Sequence, residues 1–254
     1  MSPRASPPKT VKPTAKPTAK PATQPAAQRR PKLAKAVQTD APAAKFFRRK
    51  RAAPVARGLA AAVSADRLDQ RERAVDEFTL TGLNPHTLIA PNFRVYELTQ
   101  SELAARRGIA NGFANDLHLR AAIHLARQVL QPVRHAFGAF TPNSVYRSQA
   151  LERALKNKPA TWLSTSQHAV GEACDFEIVG RPTLELAAWA RDNLEDFDQI
   201  ICECYDPRQG PNSGWVHVSL RLPGHGSNRR QCLSYVPDPA SGRLVYVDGL
   251  QAMA

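Results

Sequence analysis

The run Ser166-Gln-His168-Ala-Val-Gly171-Glu-Ala-Cys-Asp175 sets an imidazole and a carboxylate seven residues apart, with Gly171 between them to let the chain turn. Further along, Trp215-Val-His217-Val-Ser219 places a second imidazole on a strand-like stretch. Two histidines and one aspartate are enough protein ligands for a catalytic zinc, with a fourth position left for water. Such a zinc lowers the pKa of its water and polarises a carbonyl group. The same residue types at the same spacing also describe a hydrogen-bonded surface or core pair. Spacing alone does not separate the two.

Three short segments read as strands that would carry these groups: Cys174–Ile178, Gln199–Tyr205 and Trp215–Leu220. Period-two alternation sorts their faces. Asp175 and Glu177 oppose Cys174, Phe176 and Ile178. Ile201, Glu203 and Tyr205 oppose Ile200, Cys202 and Cys204. Trp215, His217 and Ser219 oppose Val216, Val218 and Leu220. Each strand thus has an apolar side for a helix layer and a side able to carry chemistry. Segments 232–236 and 243–247 suggest a late hairpin. Leu119, Ala122, Ile123, Ala126, Val129, Leu130 and Val133 recur at helical spacing, so 117–131 is expected to be an amphipathic helix that Pro132 bends or ends. Ser148 is placed to cap a second helix through Lys156, and Thr183 a third through Asn193. Helices followed by mostly antiparallel strands make an α+β domain, a small sheet packed against helices.

Charge divides the 254-residue chain. Residues 1–57 hold 15 Lys and Arg and one acid, Asp40, for a net charge of +14, while the remainder sums to −1. Ten of the 21 prolines fall in the same stretch, and Lys12-Pro-Thr-Ala, Lys16-Pro-Thr-Ala and Lys20-Pro-Ala-Thr repeat every four residues. So few apolar anchors cannot offset chain entropy, and 1–57 is expected to be a disordered basic tail with polyproline II character. Its densest cluster, Lys45–Arg51, is suited to nucleic acid, anionic lipid or a cell-wall polyanion, or is simply a solvated charge run. Residues 58–91 are expected to form a helical connector and 92–254 the folded domain. No run of 18 apolar residues exists, which excludes a spanning helix. Arg48–Arg51 before Ala52–Ala65 only weakly imitates an export signal. Synthesis in the cytoplasm without a clear signal peptide is the expectation. Four cysteines are too few for a disulfide scaffold.

The chain resembles the zinc D-alanyl-D-alanine carboxypeptidase family, which includes phage peptidoglycan endopeptidases and is related to the hedgehog signalling domain. Ser166-x-His168-x-x-Gly171-x-Ala173-x-Asp175 is similar to its signature, Tyr146-Arg147-Ser148-x-x-Leu151 to its Tyr-Arg-Ser element, and Trp215-Val-His217-Val-Ser219 to its closing strand. Phe197-Asp-Gln-Ile-Ile-Cys-Glu203 is similar to the strand before that, while Phe93-x-x-x-Glu97-Leu98 and Leu130-Gln-Pro-Val-Arg134 resemble the start of the phage-type version. The resemblance covers about 92–235.

It implies that His168, Asp175 and His217 hold zinc, that Arg147 holds a substrate carbonyl or carboxylate oxygen, and that Glu203 takes a proton from the water at the metal. Ser166 matches the motif serine, with local hydrogen bonding as its implied role. Two positions depart from the family: Trp215 stands where many relatives carry a histidine, and Gly214 where others carry a glutamate. Acid–base work therefore falls to Glu203, with His225 of the loop Pro223-Gly-His-Gly226 a remote second group. Trp215 reads as a substrate wall or as packing. Cys202 and Cys204 read as core sulfur, and His118, His124 and His135 as ordinary. The implied function is hydrolysis of peptidoglycan stem peptides, by a carboxypeptidase or an endolysin-type endopeptidase. It would act at the cell wall or in the periplasm, with virion association or release at lysis as its routes. Two rival readings remain: a non-catalytic zinc-fold wall-binding or structural module, and a nucleic-acid-binding protein acting through its basic tail.

Overall fold

The computed structural model describes residues 68–253. The expected tail 1–57, the export-signal imitation at 48–65 and the first part of the connector lie outside the described residues. From residue 68 on, the connector is part of the domain: Phe78, Ile89 and Ala90 are fully buried in the core. Two short strands, β1 (Leu88–Ala90) and β2 (Phe93–Arg94), pair antiparallel here. Arg127 fastens the segment by donating to the carbonyls of Ile89, Arg73 and Gln70 at 2.7, 2.8 and 3.0 Å.

The main sheet has five strands: β3 (Ala173–Phe176), β4 (Gln199–Glu203), β5 (Trp215–Ser219), β6 (Gln231–Pro237) and β7 (Leu244–Asp248). Their order is β3-β5-β4-β6-β7, and every pair is antiparallel except β4 with β6. β6 and β7 form the late hairpin. Helices cover one face. Short α1 (Glu102–Arg107) precedes α2 (Asp116–Leu125), which Asn115 caps by accepting from the His118 amide at 2.9 Å. A π-helical turn at Ala126–Leu130 leads straight into α3 (Gln131–Phe137). The rod therefore runs past Pro132 instead of ending there. The proline is the second residue after the π segment, at the start of α3. α4 (Gln149–Lys156) is capped by the Ser148 hydroxyl, which accepts from the Leu151 amide at 3.3 Å.

α5 (Thr183–Asn193) packs on β4 and β5. Thr183 is its first residue and not its cap: the hydroxyl donates to the Ser213 carbonyl at 2.8 Å and ties the helix start to the loop before β5. Beneath the helices lie Cys174, Phe176, Ile200, Cys202, Val216 and Val218, all fully buried. This is the apolar face expected from alternation. The strands stop sooner than expected. Cys204 takes a left-handed conformation (φ 56°), so alternation breaks there. Tyr205 turns into the core and Cys204 is half-buried, the reverse of the expected assignment. No helix among the described residues is long and apolar enough to cross a membrane.

Gly171 closes the turn that carries His168 against α2. Its φ is +83°, and a Cβ there would run into the His118 carbonyl and lie 3.2 Å from the Ala122 amide nitrogen. Gly171→Ala is expected to lower stability by roughly 2 kcal/mol or more, read as a lower urea midpoint. A wild-type midpoint would show that the turn can relax away from α2.

Candidate metal centre

Antiparallel pairing of β3 and β5 sets Asp175 directly opposite His217, and on the other flank of β5 Ile201 faces the same histidine. The third group arrives from a 3-10 turn, Gln167–Val170. There the Nδ1–H of His168 donates to the Val145 carbonyl at 2.7 Å, which leaves Nε2 as the free lone pair. That Nε2 lies 3.2 Å from Asp175 Oδ1 and 3.2 Å from His217 Nδ1, and the last two atoms are 2.9 Å apart. All three residues are buried. Tetrahedral zinc with bonds of about 2.0–2.1 Å spaces its ligand atoms roughly 3.3 Å apart. A triangle with edges of 2.9–3.2 Å is close to that spacing, and its nitrogen and oxygen donors are of the type zinc prefers. The residues fit the ion.

Protonation states agree with the fit. Burial pushes the His168 pKa down against the pull of Asp175, so its imidazole is neutral near pH 7. Burial alone would raise Asp175, but the two imidazoles beside it hold its carboxyl well below the usual carboxylate range.

Asp175 divides its oxygens. Oδ1 faces the histidines, and Oδ2 accepts from Arg147 Nη2. Arg147 also donates through Nε to Ser144 Oγ at 2.7 Å, and Nη1 faces Glu152 Oε1 at 3.6 Å. Its expected contact with substrate is thus joined by a structural one, since it orients a candidate ligand. Glu152 is fully buried and meets Lys156 Nζ at 2.5 Å and Ser164 Oγ at 2.6 Å. Those contacts lower its pKa against burial. Sequence reasoning passed over Glu152, because a glutamate four residues before a lysine on a helix reads as a solvated pair.

Glu203 ends β4 opposite Trp215, one step along the same face from His217. Both line a cavity of about 610 Å³ that also holds the His168, Asp175 and His217 side chains and Arg147. Burial pushes the Glu203 carboxyl up, against His217. Gly214 has φ +66°, and a Cβ there would strike the Glu203 carbonyl, so this backbone has no room for the glutamate some relatives carry. Ser166 lines the cavity but caps nothing; its carbonyl, accepting from the Ala169 amide at 2.9 Å, makes the local bond. His225 is exposed in its loop and does not line the cavity. Cys174 and Cys202 lie in the core, with the Cys202 thiol pushed up to about 12 by burial. His118 Nδ1 sits 3.4 Å from the Tyr146 hydroxyl, away from the cavity.

A family model described as peptidase M15 matches residues 91–219, half of the chain, a span that contains Arg147, His168, Asp175, Glu203 and His217. The chain belongs to that family, the zinc-dependent peptidases related to D-Ala-D-Ala carboxypeptidase. No curated protein and no solved structure matches it.

In the metal-free protein, the raised pKa of Glu203 makes its ionised form a strain on the fold. The folded value lies above the unfolded one, so this contribution is favourable at low pH and is lost as pH rises through the folded pKa. Glu203→Gln is therefore expected to be more heat-stable than wild type at pH 7. The gap should close as pH falls below the ordinary glutamate range of about 4.3. Equal melting temperatures across that range would show that the Glu203 charge is already compensated.

Proposed function

We propose that this member of the peptidase M15 family binds zinc and hydrolyses amide bonds in peptidoglycan stem peptides. The observation that carries the reading is the convergence of three buried ligand atoms, all within 4.8 Å of one another, in the same cavity as Glu203. The substrate class rests on the family. His168, Asp175 and His217 would hold the ion. When bound, zinc supplies a Lewis acid for the amide carbonyl and lowers the pKa of water to near 7.

The remaining chemistry falls to the chain. Glu203 takes the proton of the attacking water and returns it to the leaving amine, and its elevated pKa suits a group that must both accept and release that proton. Arg147 holds Asp175 in place through Nη2 and brings fixed positive charge to the cavity, where negative charge gathers on the carbonyl oxygen. Trp215 gives the substrate an apolar wall beside Glu203. A purely recognitional module would have no use for a carboxyl kept beside the ligand set at this cost to the fold. The site of action on this reading is the cell wall, and residues 1–57 serve as a cationic anchor for wall polyanion, anionic lipid or nucleic acid.

Elemental analysis of the full chain is expected to find one zinc, lost in His217→Ala and in Asp175→Ala. Glu203→Gln should keep zinc yet lose about 100- to 10,000-fold in turnover of a stem peptide, followed by mass spectrometry. Wild-type turnover by zinc-loaded Glu203→Gln would move the proton transfer to another group.

Deleting residues 1–57 is expected to leave turnover of a small soluble peptide unchanged. Binding to purified cell walls should weaken, and binding by the full chain should fall steeply with salt as several Lys and Arg release counterions together. Equal wall binding by both forms at low salt would remove the electrostatic role.

A further inference from the structure

The cavity extends past the ligand set to an end where cations collect. On the cavity face of the sheet, Glu203 and Trp215 form one row, Ile201, His217 and Asp175 the next, and Gln199 and Ser219 the third. Arg221 and Arg229 line the cavity beyond that third row. Both look onto Asp198, which is fully buried. Its carboxylate accepts from the Arg229 amide at 3.0 Å, from Arg229 Nε at 2.9 Å and from Nη2 at 2.5 Å. Gln167, the neighbour of His168, adds a fourth bond at 3.0 Å. Arg221 comes second: its Nε stands 3.6 Å from Asp198 Oδ1, too far for a hydrogen bond. That Nε is buried without an acceptor, and the Arg221 guanidinium donates no hydrogen bond among the described residues. One anion thus faces two cations, and the guanidinium left over lines the cavity that also holds the candidate metal ligands.

We propose that Arg221, backed by the Asp198–Arg229 pair, forms a subsite for a carboxylate of the peptide substrate, at least two residues from the bond that is cut. The proposal rests on the peptidase reading above and adds a specificity element to it. A guanidinium with unmet donors matches a carboxylate in geometry and charge, as a two-pronged acceptor for its planar fork. Arg229 cannot fill that role, since two of its side-chain nitrogens are bound to Asp198. The spacing follows from the sheet. The third row stands about 6.7 Å along the strand from the ligand row, an extended peptide covers that length in about two residues, and Arg221 lies beyond that row. The carboxyl group immediately next to the cut bond is too close to reach.

The test uses the full chain with zinc and the stem peptide L-Ala-γ-D-Glu-L-Lys-D-Ala-D-Ala in three forms: both carboxylates free, the D-Glu α-carboxylate amidated, and the C-terminus amidated. Wild type should show a KM roughly tenfold or more higher for one amidated form, in line with a lost charge-assisted hydrogen bond, with little change in kcat. The form that loses identifies the carboxylate. In Arg221→Gln the KM values for free and amidated peptides should converge, and Arg221→Lys, which keeps the charge without the fork, should fall between. A preference that survives in Arg221→Gln, or no preference in wild type, overturns the subsite. Should wild type cut none of the peptides, the peptidase reading fails by itself. Calorimetric binding of the same three peptides then decides the subsite: preference for the free carboxylate lost in Arg221→Gln supports it, and indifference overturns it.

Discussion

The site depends on a single strand register. Asp175 meets His217 because β3 and β5 pair so that these two residues stand directly opposite each other. A slip of one residue would turn Asp175 toward the helix layer and put an apolar neighbour in its place. The apolar face prevents the slip. Cys174, Phe176, Val216 and Val218 are fully buried under the helices, and a one-residue slip would turn one strand's pair of them out of that layer. Hydrophobic burial on one side of the sheet thus determines donor geometry on the other. His168 is the exception, since it comes from outside the sheet. Its place is set by the Gly171 turn against α2 and by the hydrogen bond to Val145.

Behind the three candidate ligands runs a chain of alternating charge: Lys156, Glu152, Arg147 and Asp175. Removing one member of a buried pair typically costs about 3–5 kcal/mol, because the partner is left charged and unsolvated. The chain therefore keeps the buried Glu152 and Asp175 carboxylates charged and in one orientation. Arg147 gains most. With Nε on Ser144 and Nη2 on Asp175, its guanidinium plane is fixed, and Asp175 is held with one oxygen toward the histidines. Glu152 Oε1 has no hydrogen bond of its own and meets only the Arg147 charge. The network is strong because each charge has few alternatives.

Much of this was legible in the sequence, and the failures share a cause. Alternation correctly sorted Asp175, His217 and Glu203 onto one face because regular strands carry the information in their spacing. It failed at Cys204, where a non-glycine residue adopts a positive φ that no local pattern announces. Pro132 was expected to bend or end the helix, and it does not end it: a π turn precedes it and the helix continues to Phe137, with Val129, Leu130 and Val133 buried. Residues before Asn92 were read as a connector because their polar composition hides Phe78 and Ile89, which matter only once Arg120 and Arg127 reach across to bind their carbonyls. Glu152, Asp198 and Arg221 were missed for one reason: a charged residue on a helix or beside a strand reads as solvated until the partners that bury it are known.

The cavity is polarised along the strands. At one end Glu203 carries a proton-labile carboxyl whose pKa burial has raised. In the middle, one carboxylate and two imidazoles converge on a point suited to a cation. At the other end, Asp198 is held at a pKa of about 2, chiefly by Arg229 against its own burial, so its charge stays fixed and Arg221 adds a surplus positive charge. A substrate with a carboxylate at one end and a scissile amide further along would meet these features in a single order. Its direction in the cavity would be set by charge before any side chain is recognised. Shape then has less to decide, which suits an open cavity over a sheet face better than it would suit a closed pocket.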